Sequence, residues 1–288
     1  VKYYIVGKNS HKGASHDTSG DLNEYYELGW ELMITHPEVK KLKYKNLITD
    51  DDVIVTTSDD RKFLYEDTFK NVISWDNFKK LNIGEDYVID LVNKSMETSN
   101  LIGKLEIKDA LGSLIEDENI IKILSSFKKN EDIIEKIKDN KYVCLQYRKR
   151  DWVQERNMDD DFFSSLISLF VNNFKLKVFI VGFGGEKFCD DINSIYVNLQ
   201  DFTTLINHKN CELYFSSMSG PAHLSLFFGN ENLKHIVNDI TGHRMSPGLQ
   251  NHPLFMGDVF NYSKTKINII FGKLNNINEM EKIINYLK

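Results

Sequence analysis

Leu213-Tyr214-Phe215-Ser216-Ser217-Met218-Ser219-Gly220-Pro221-Ala222-His223 is the stretch on which the fold class turns. An apolar, aromatic run of strand length gives way to small hydroxyl residues and then to Gly-Pro; the apolar run that follows is closed by Gly229. Proline suits the first turn of a helix, where a backbone N–H has no intrahelical partner. Strand, tight turn and helix (Pro221–Phe228) make one half of a βαβ unit, so a parallel α/β sheet is expected. The free N–H groups at such a helix start favour an anion, and the hydroxyls of Ser217 and Ser219 extend that site. The alternative is that Ser219 simply caps the helix and His223 is a satisfied core histidine.

Working outward, the same alternation fills the second half of the chain. Strand-like runs fall at 142–147, 177–181, 195–198, 213–217, 235–238 and 267–271, with helical patterns at 162–174, 187–193, 202–208, 221–228 and 277–287 between and after them. Five or six strands alternating with helices describe a doubly wound domain. The first half opens with Tyr3-Tyr4-Ile5-Val6, then a polar loop, a helix around 22–35 closed by Pro37, a strand at 53–57 and a third around Val72-Ile73. From Glu85 to Lys138 the apolar residues repeat with helical spacing. The expected division is an amino-terminal α/β domain over 1–139 and a carboxy-terminal one over 140–288, with the boundary near Asn140.

A chain of 288 residues has room for two such cores. A net charge of −6 argues against a protein that coats nucleic acid. No apolar run approaches the ~20 residues of a membrane span, and no leader-like stretch is visible, so a cytoplasmic protein is expected. Peripheral contact with a membrane stays compatible with that reading. Cys144, Cys189 and Cys211 lack CxxC spacing, and Cys144 and Cys211 lie within apolar runs as core residues. No metal site or cofactor is expected. Asp59-Asp60 at a strand end is the better of the weak metal candidates, and Asp159-Asp160-Asp161 reads as a helix opening.

Ligands of open α/β sheets bind beyond the carboxyl ends of the strands, so the other strand-end loops carry the remaining candidates. Gln146-Tyr147-Arg148-Lys149-Arg150-Asp151 presents cations that can grip a diphosphate, Arg148 foremost and Lys149 next to it. The bland alternative is a solvated basic turn. In Val181-Gly182-Phe183-Gly184-Gly185-Glu186, the glycines either let backbone approach a base or ribose, with Gly182 and Phe183 lining it, or meet the needs of a strand-to-helix turn. His243 and Arg244, after the strand ending at Asn238, are secondary candidates, with Arg244 counted among the donor contacts.

Ser219-Gly220-Pro221-Ala222-His223-Leu224 followed by Gly229 resembles the Ser-Gly-Pro-x-His loop of bacterial heptosyltransferases, and 181–186 and Thr203-Thr204-Leu205 resemble that family's preceding elements in the same order. Arg148-Lys149-Arg150-Asp151 is similar to the His-x-Arg-Arg-x-Asp motif of fucosyltransferases that use GDP-fucose, and Phe215-Ser216-Ser217 is similar to that group too. The resemblance covers about 142–230. It implies a GT-B fold: two Rossmann-like domains facing a cleft, parallel sheets flanked by helices, with the donor on the carboxy-terminal domain. It also implies that Arg148 contacts the donor diphosphate and that Ser219, Gly220 and His223 line its phosphate–ribose side. Gln146 stands where the fucosyltransferase motif has histidine, and Met218 where heptosyltransferases have aspartate.

The expected activity is therefore transfer of a sugar from a nucleoside-diphosphate sugar to a glycan or lipid-linked acceptor, without a metal. Inversion is implied by both resemblances. The acceptor side falls to the first domain, and Asp17 and His16, after its first strand, lead as the base. An epimerase or hydrolase of sugar nucleotides, or a nucleotide-binding protein without catalysis, are the alternatives.

Overall fold

The computed structural model describes residues 1–8, 28, 31–92, 122–137, 140–149, 157–182, 194–217, 220–238, 270–272, 276–278, 280, 281 and 285. The chain forms two compact units, Val1–Lys128 and Lys129–Lys288.

Among the described residues, the first unit holds four parallel strands: β1 (Tyr3–Ile5), β2 (Val53–Thr56), β3 (Asn71–Ser74) and β4 (Val88–Asp90), in the order β3-β2-β1-β4. β2 is an unbroken run of β-branched residues with Ile54, Val55 and Thr56 buried, as expected of a strand covered on both faces. β4 lies where helical spacing was expected from Glu85 onward; three residues are too few to show a period of two, and pairing with β1 decides their state.

The helix expected to stop before Pro37 continues. A π-helical turn, Glu31–Thr35, runs directly into α1 (His36–Tyr44), with Pro37 in its first turn. There the missing proline N–H costs nothing. A short helix, α2 (Trp75–Phe78), follows β3.

Among the described residues, two buried polar knots stand out in this unit. Glu31 is fully buried and accepts four hydrogen bonds, from Thr56 (2.8 Å) and Tyr65 (2.8 Å) on one oxygen and from Thr57 (3.0 Å) and Arg61 (2.6 Å) on the other. That fills the acceptor capacity of a carboxylate and offsets its desolvation. Gly7 belongs to the same knot, since a Cβ there would sit 2.1 Å from Thr57 Oγ1. The second knot is Lys40, fully buried on α1, whose ammonium donates to the Ser126 carbonyl and hydroxyl and lies 3.6 Å from Asp67.

The second unit begins with α3 (Glu131–Ile137), followed by β5 (Tyr142–Gln146), α4 (Asp160–Ser168, extended by a π-helical turn Leu169–Asn173), β6 (Lys177–Val181) and β7 (Ser194–Tyr196). Then come α5 (Leu199–Asn207), β8 (Cys211–Ser217), a 3-10 turn Gly220–His223, α6 (Leu224–Phe228), β9 (Lys234–Asn238) and β10 (Ile270–Gly272). The units divide between Lys128 and Lys129 rather than near Asn140, because α3 is tied to α5. The Asn130 N–H donates to Thr204 (3.1 Å), its amide donates to Asp201 (2.6 Å), and Ile133 and Ile137 are buried. Unbroken helical spacing through this stretch conceals the break in the sequence.

The six strands are all parallel, in the order β10-β9-β8-β5-β6-β7. Counted from β5 within the unit, and read from the β7 edge, this is the 3-2-1-4-5-6 order of dinucleotide-binding folds. All five residues of β5 are buried, the mark of a central strand covered on both faces. Val143 and Leu145 pack into a core with Phe162, Phe163 and Leu166 of α4 and Phe215 and Ile236 of the neighbouring strands. Cys144 and Cys211 are free, buried thiols with their sulfurs 3.6 Å apart on β5 and β8. The acidic run 159–161 opens α4 as expected, with the Asp159 carboxylate accepting from the Phe162 N–H at 2.8 Å.

Candidate functional site

In the order found for the second sheet, the chain leaves β5 in one direction along the sheet and β8 in the other. Loops after these two adjacent strands therefore diverge and leave a crevice at the carboxyl edge, which is where such sheets bind ligands. The two loops richest in anion-binding residues leave these two strands, and parallel pairing brings Gln146 at the end of β5 and Ser217 at the end of β8 to the same edge.

Gln146 and Arg148 are buried. The Arg148 guanidinium donates through Nη1 to Asn157 Oδ1 at 2.6 Å, and its carbonyl accepts from the Met158 N–H at 2.9 Å. Residues 157–158 thus return alongside the loop and fix the arginine. Lys149 is about half exposed and pairs with Asp160 at 2.7 Å. The same Asp160 accepts from the Tyr147 hydroxyl at 2.5 Å, and burial together with this carboxylate pushes the phenol up.

Gly182, at the end of β6, has φ +125°, and a Cβ there would lie 1.9 Å from the Tyr147 carbonyl oxygen. The glycine is accounted for by this chain's own backbone, which passes within contact distance just before Arg148.

On the other side of the crevice, the Ser217 hydroxyl is buried and makes no hydrogen bond among the described residues. A hydroxyl so placed carries a desolvation cost that a ligand atom can relieve. Asn238, at the end of β9, is level with Ser217 in the sheet register and buried beside it.

The helix expected over 221–228 is shorter and tighter at its start. Gly220–His223 form a 3-10 turn, and α-helical bonding begins at Leu224, leaving five residues. A helix that short adds little dipole, so any anion contact rests on the turn's own N–H groups and on side chains. His223 is buried, and its Nδ1 lies 3.2 Å from the Gly220 carbonyl. Behind the turn, His235 of β9 bridges Ser216 and Ser225 and stacks on Tyr214 at 4.3 Å.

Of the residues expected to bind the donor, Gln146, Arg148, Gly182, Ser217, Gly220 and His223 lie at this one edge of the sheet, on or just after adjacent strands. Lys149 follows Arg148 but is turned to Asp160. Phe183, Ser219 and Arg244, and the base candidates His16 and Asp17, lie outside the described residues. Asn157, Asn238 and His235 had no signal in the sequence; each is an ordinary polar residue until pairing and folding bring it to the site. Asp59 and Asp60, the weak metal candidates, open a 3-10 turn in the first unit, Asp60 accepting from Ser58 and Asp59 lying 4.0 Å from Lys62. Among the described residues, no group of three or more His, Cys, Asp or Glu is placed to hold a metal ion.

No family model matches the chain, and no curated protein does. Solved structures do match. E. coli ADP-heptose lps heptosyltransferase II aligns over 100% of this chain and 98% of its own, with a TM-score of 0.53 and 8% identity. E. coli heptosyltransferase WaaC with ADP aligns over 100% of both chains, with a TM-score of 0.51 and 11% identity. At such identities the likeness is one of fold, and it shows that the chain has the α/β fold of GT-B-type glycosyltransferases.

Proposed function

We propose that this chain is a glycosyltransferase that takes a sugar from a nucleoside-diphosphate sugar and passes it to a glycan or lipid-linked acceptor, without a metal ion and with inversion at the anomeric carbon. The observation that carries the reading is that a buried arginine, a buried hydroxyl without a partner among the described residues, and a Gly-Pro turn stand at one sheet edge, at or beyond the ends of β5 and β8. The arginine and the turn's N–H groups take up charge on the diphosphate as the bond from sugar to phosphate breaks. The acceptor hydroxyl attacks from the opposite face and gives its proton to Asp17 or His16. Gln146, Lys149, Gly182, Phe183, Ser219, His223 and Arg244 are assigned to the donor's phosphates, ribose and base. We place the protein in the cytoplasm; no described helix is long and apolar enough to cross a membrane.

Calorimetric titration with UDP, GDP, ADP and CMP, with and without EDTA, tests the proposal. ADP is the first choice, since a heptosyltransferase of similar fold was solved with it. Binding that survives EDTA is expected for at least one diphosphate. No binding to any of the four would overturn the reading.

A further inference from the structure

Behind the Gly-Pro turn runs a chain of buried hydrogen bonds to which the transfer reaction assigns no part. His235 Nε2 lies 2.7 Å from Ser216 Oγ on β8, and Nδ1 lies 2.7 Å from Ser225 Oγ on α6. The Ser225 hydroxyl donates in turn to the Ala222 carbonyl at 3.2 Å. Ser216, Ser225 and His235 are all fully buried. Burial, with His223 nearby, pushes the imidazole down to about 3, so it is neutral at physiological pH.

A neutral imidazole has one donor and one acceptor. Because Ser225 gives its proton to Ala222, its oxygen accepts from Nδ1–H, and Nε2 accepts from the Ser216 hydroxyl. The protons therefore point one way, from Ser216 through His235 and Ser225 to the Ala222 carbonyl. That carbonyl lies inside the turn, and Ser216 adjoins Ser217 at the strand end.

We propose that His235 is a positioning residue for the diphosphate site: through Ser225 it locks the Ala222–His223 peptide to the end of β8, so that the turn is set before the donor arrives. A preset turn avoids the cost of ordering backbone on binding. The inference rests on the donor-site reading above.

Three substitutions test it. Ser225→Ala cuts the link to Ala222. His235→Phe keeps a ring to stack on Tyr214 but removes both hydrogen bonds. His235→Asn restores an amide donor near Nδ1. Each is titrated with UDP, GDP, ADP and CMP, unfolded in urea, and followed by hydrogen–deuterium exchange of the peptide 220–228. Ser225→Ala and His235→Phe are expected to weaken nucleotide binding about five- to ten-fold, the worth of one hydrogen bond. They should also raise exchange in 220–228, and combining them should add little. His235→Asn should regain most of the affinity.

Lower urea midpoints with unchanged affinity and unchanged exchange in 220–228 would overturn the proposal, leaving His235 as a core residue only. If His235→Phe does not fold, Ser225→Ala and Ser216→Ala decide by the same readouts. If the wild type binds none of the four nucleotides, the donor-site reading fails; the exchange measurement still judges the lock, and an unchanged 220–228 peptide in Ser225→Ala would refute it.

Discussion

Arg148 sits at 3% exposure and is anchored by the Asn157 side chain, so its guanidinium is oriented before any ligand arrives. Lysine keeps the charge but has neither the planar fork nor the five donors. Arg148→Lys is therefore expected to weaken diphosphate binding about ten-fold, read by calorimetry. Gly182 is constrained differently. With φ +125° and the Tyr147 carbonyl where a Cβ would go, Gly182→Ala should destabilise the fold by about 2–4 kcal/mol in urea unfolding. At this scale the sequence was legible in the placement of Arg148, Ser217 and His223 at or soon after strand ends. It was silent on Asn157, nine residues beyond Arg148, and on His235, because only the folded backbone brings them to their partners. The glycine-rich run marked Gly182 as a turn or close approach; that the close approach is to this chain's own Tyr147 carbonyl is decided by the fold.

Among the elements, α1 carries the most testable electrostatics. Burial pushes Lys40 down from the ordinary 10.5 to about 8, with Asp67 pulling the other way. The folded state therefore holds the proton less tightly than the unfolded chain. The contribution of this group to stability is full above about pH 10.5 and is lost as the pH falls through about 8. The stability of the wild type relative to Lys40→Met should accordingly climb between pH 8 and 10.5, by up to about 1.4 kcal/mol per pH unit in paired urea titrations. A flat difference would mean that the amine keeps its proton throughout. Element boundaries were readable where caps are local, as with Asp159 at the start of α4. They were misread where tertiary contact decides. Val88–Asp90 becomes a strand by pairing with β1, α1 runs past the expected stop at Pro37, and the Gly-Pro helix tightens into a 3-10 turn.

For the whole molecule, two units with separate cores predict two unfolding transitions rather than one. The residues assigned to the nucleotide, Gln146 to Arg244, all belong to the second unit, so a bound diphosphate should raise that unit's transition alone. At a hundred times the Kd the gain is about 2.7 kcal/mol, measurable by scanning calorimetry. A shift of both transitions together would show that the units unfold as one. The alternation of strands and helices made the fold class of the second unit plain in the sequence. The order of strands, and with it the divergence of the loops after β5 and β8, could not be read there, because nothing local records which parallel strands become neighbours.

Cys144 and Cys211 gain a further use from their place on those two strands. Burial pushes the Cys144 thiol well above its usual range, and a thiol reacts only as the thiolate, so a labelling reagent must wait for the sheet to part. In a Cys189→Ser background, the rate of modification is a stopwatch on opening at the centre of the fold. A nucleotide spanning the ends of β5 and β8 should slow that stopwatch by the factor one plus its concentration over Kd, so that affinity could be read from the timing of a colour change.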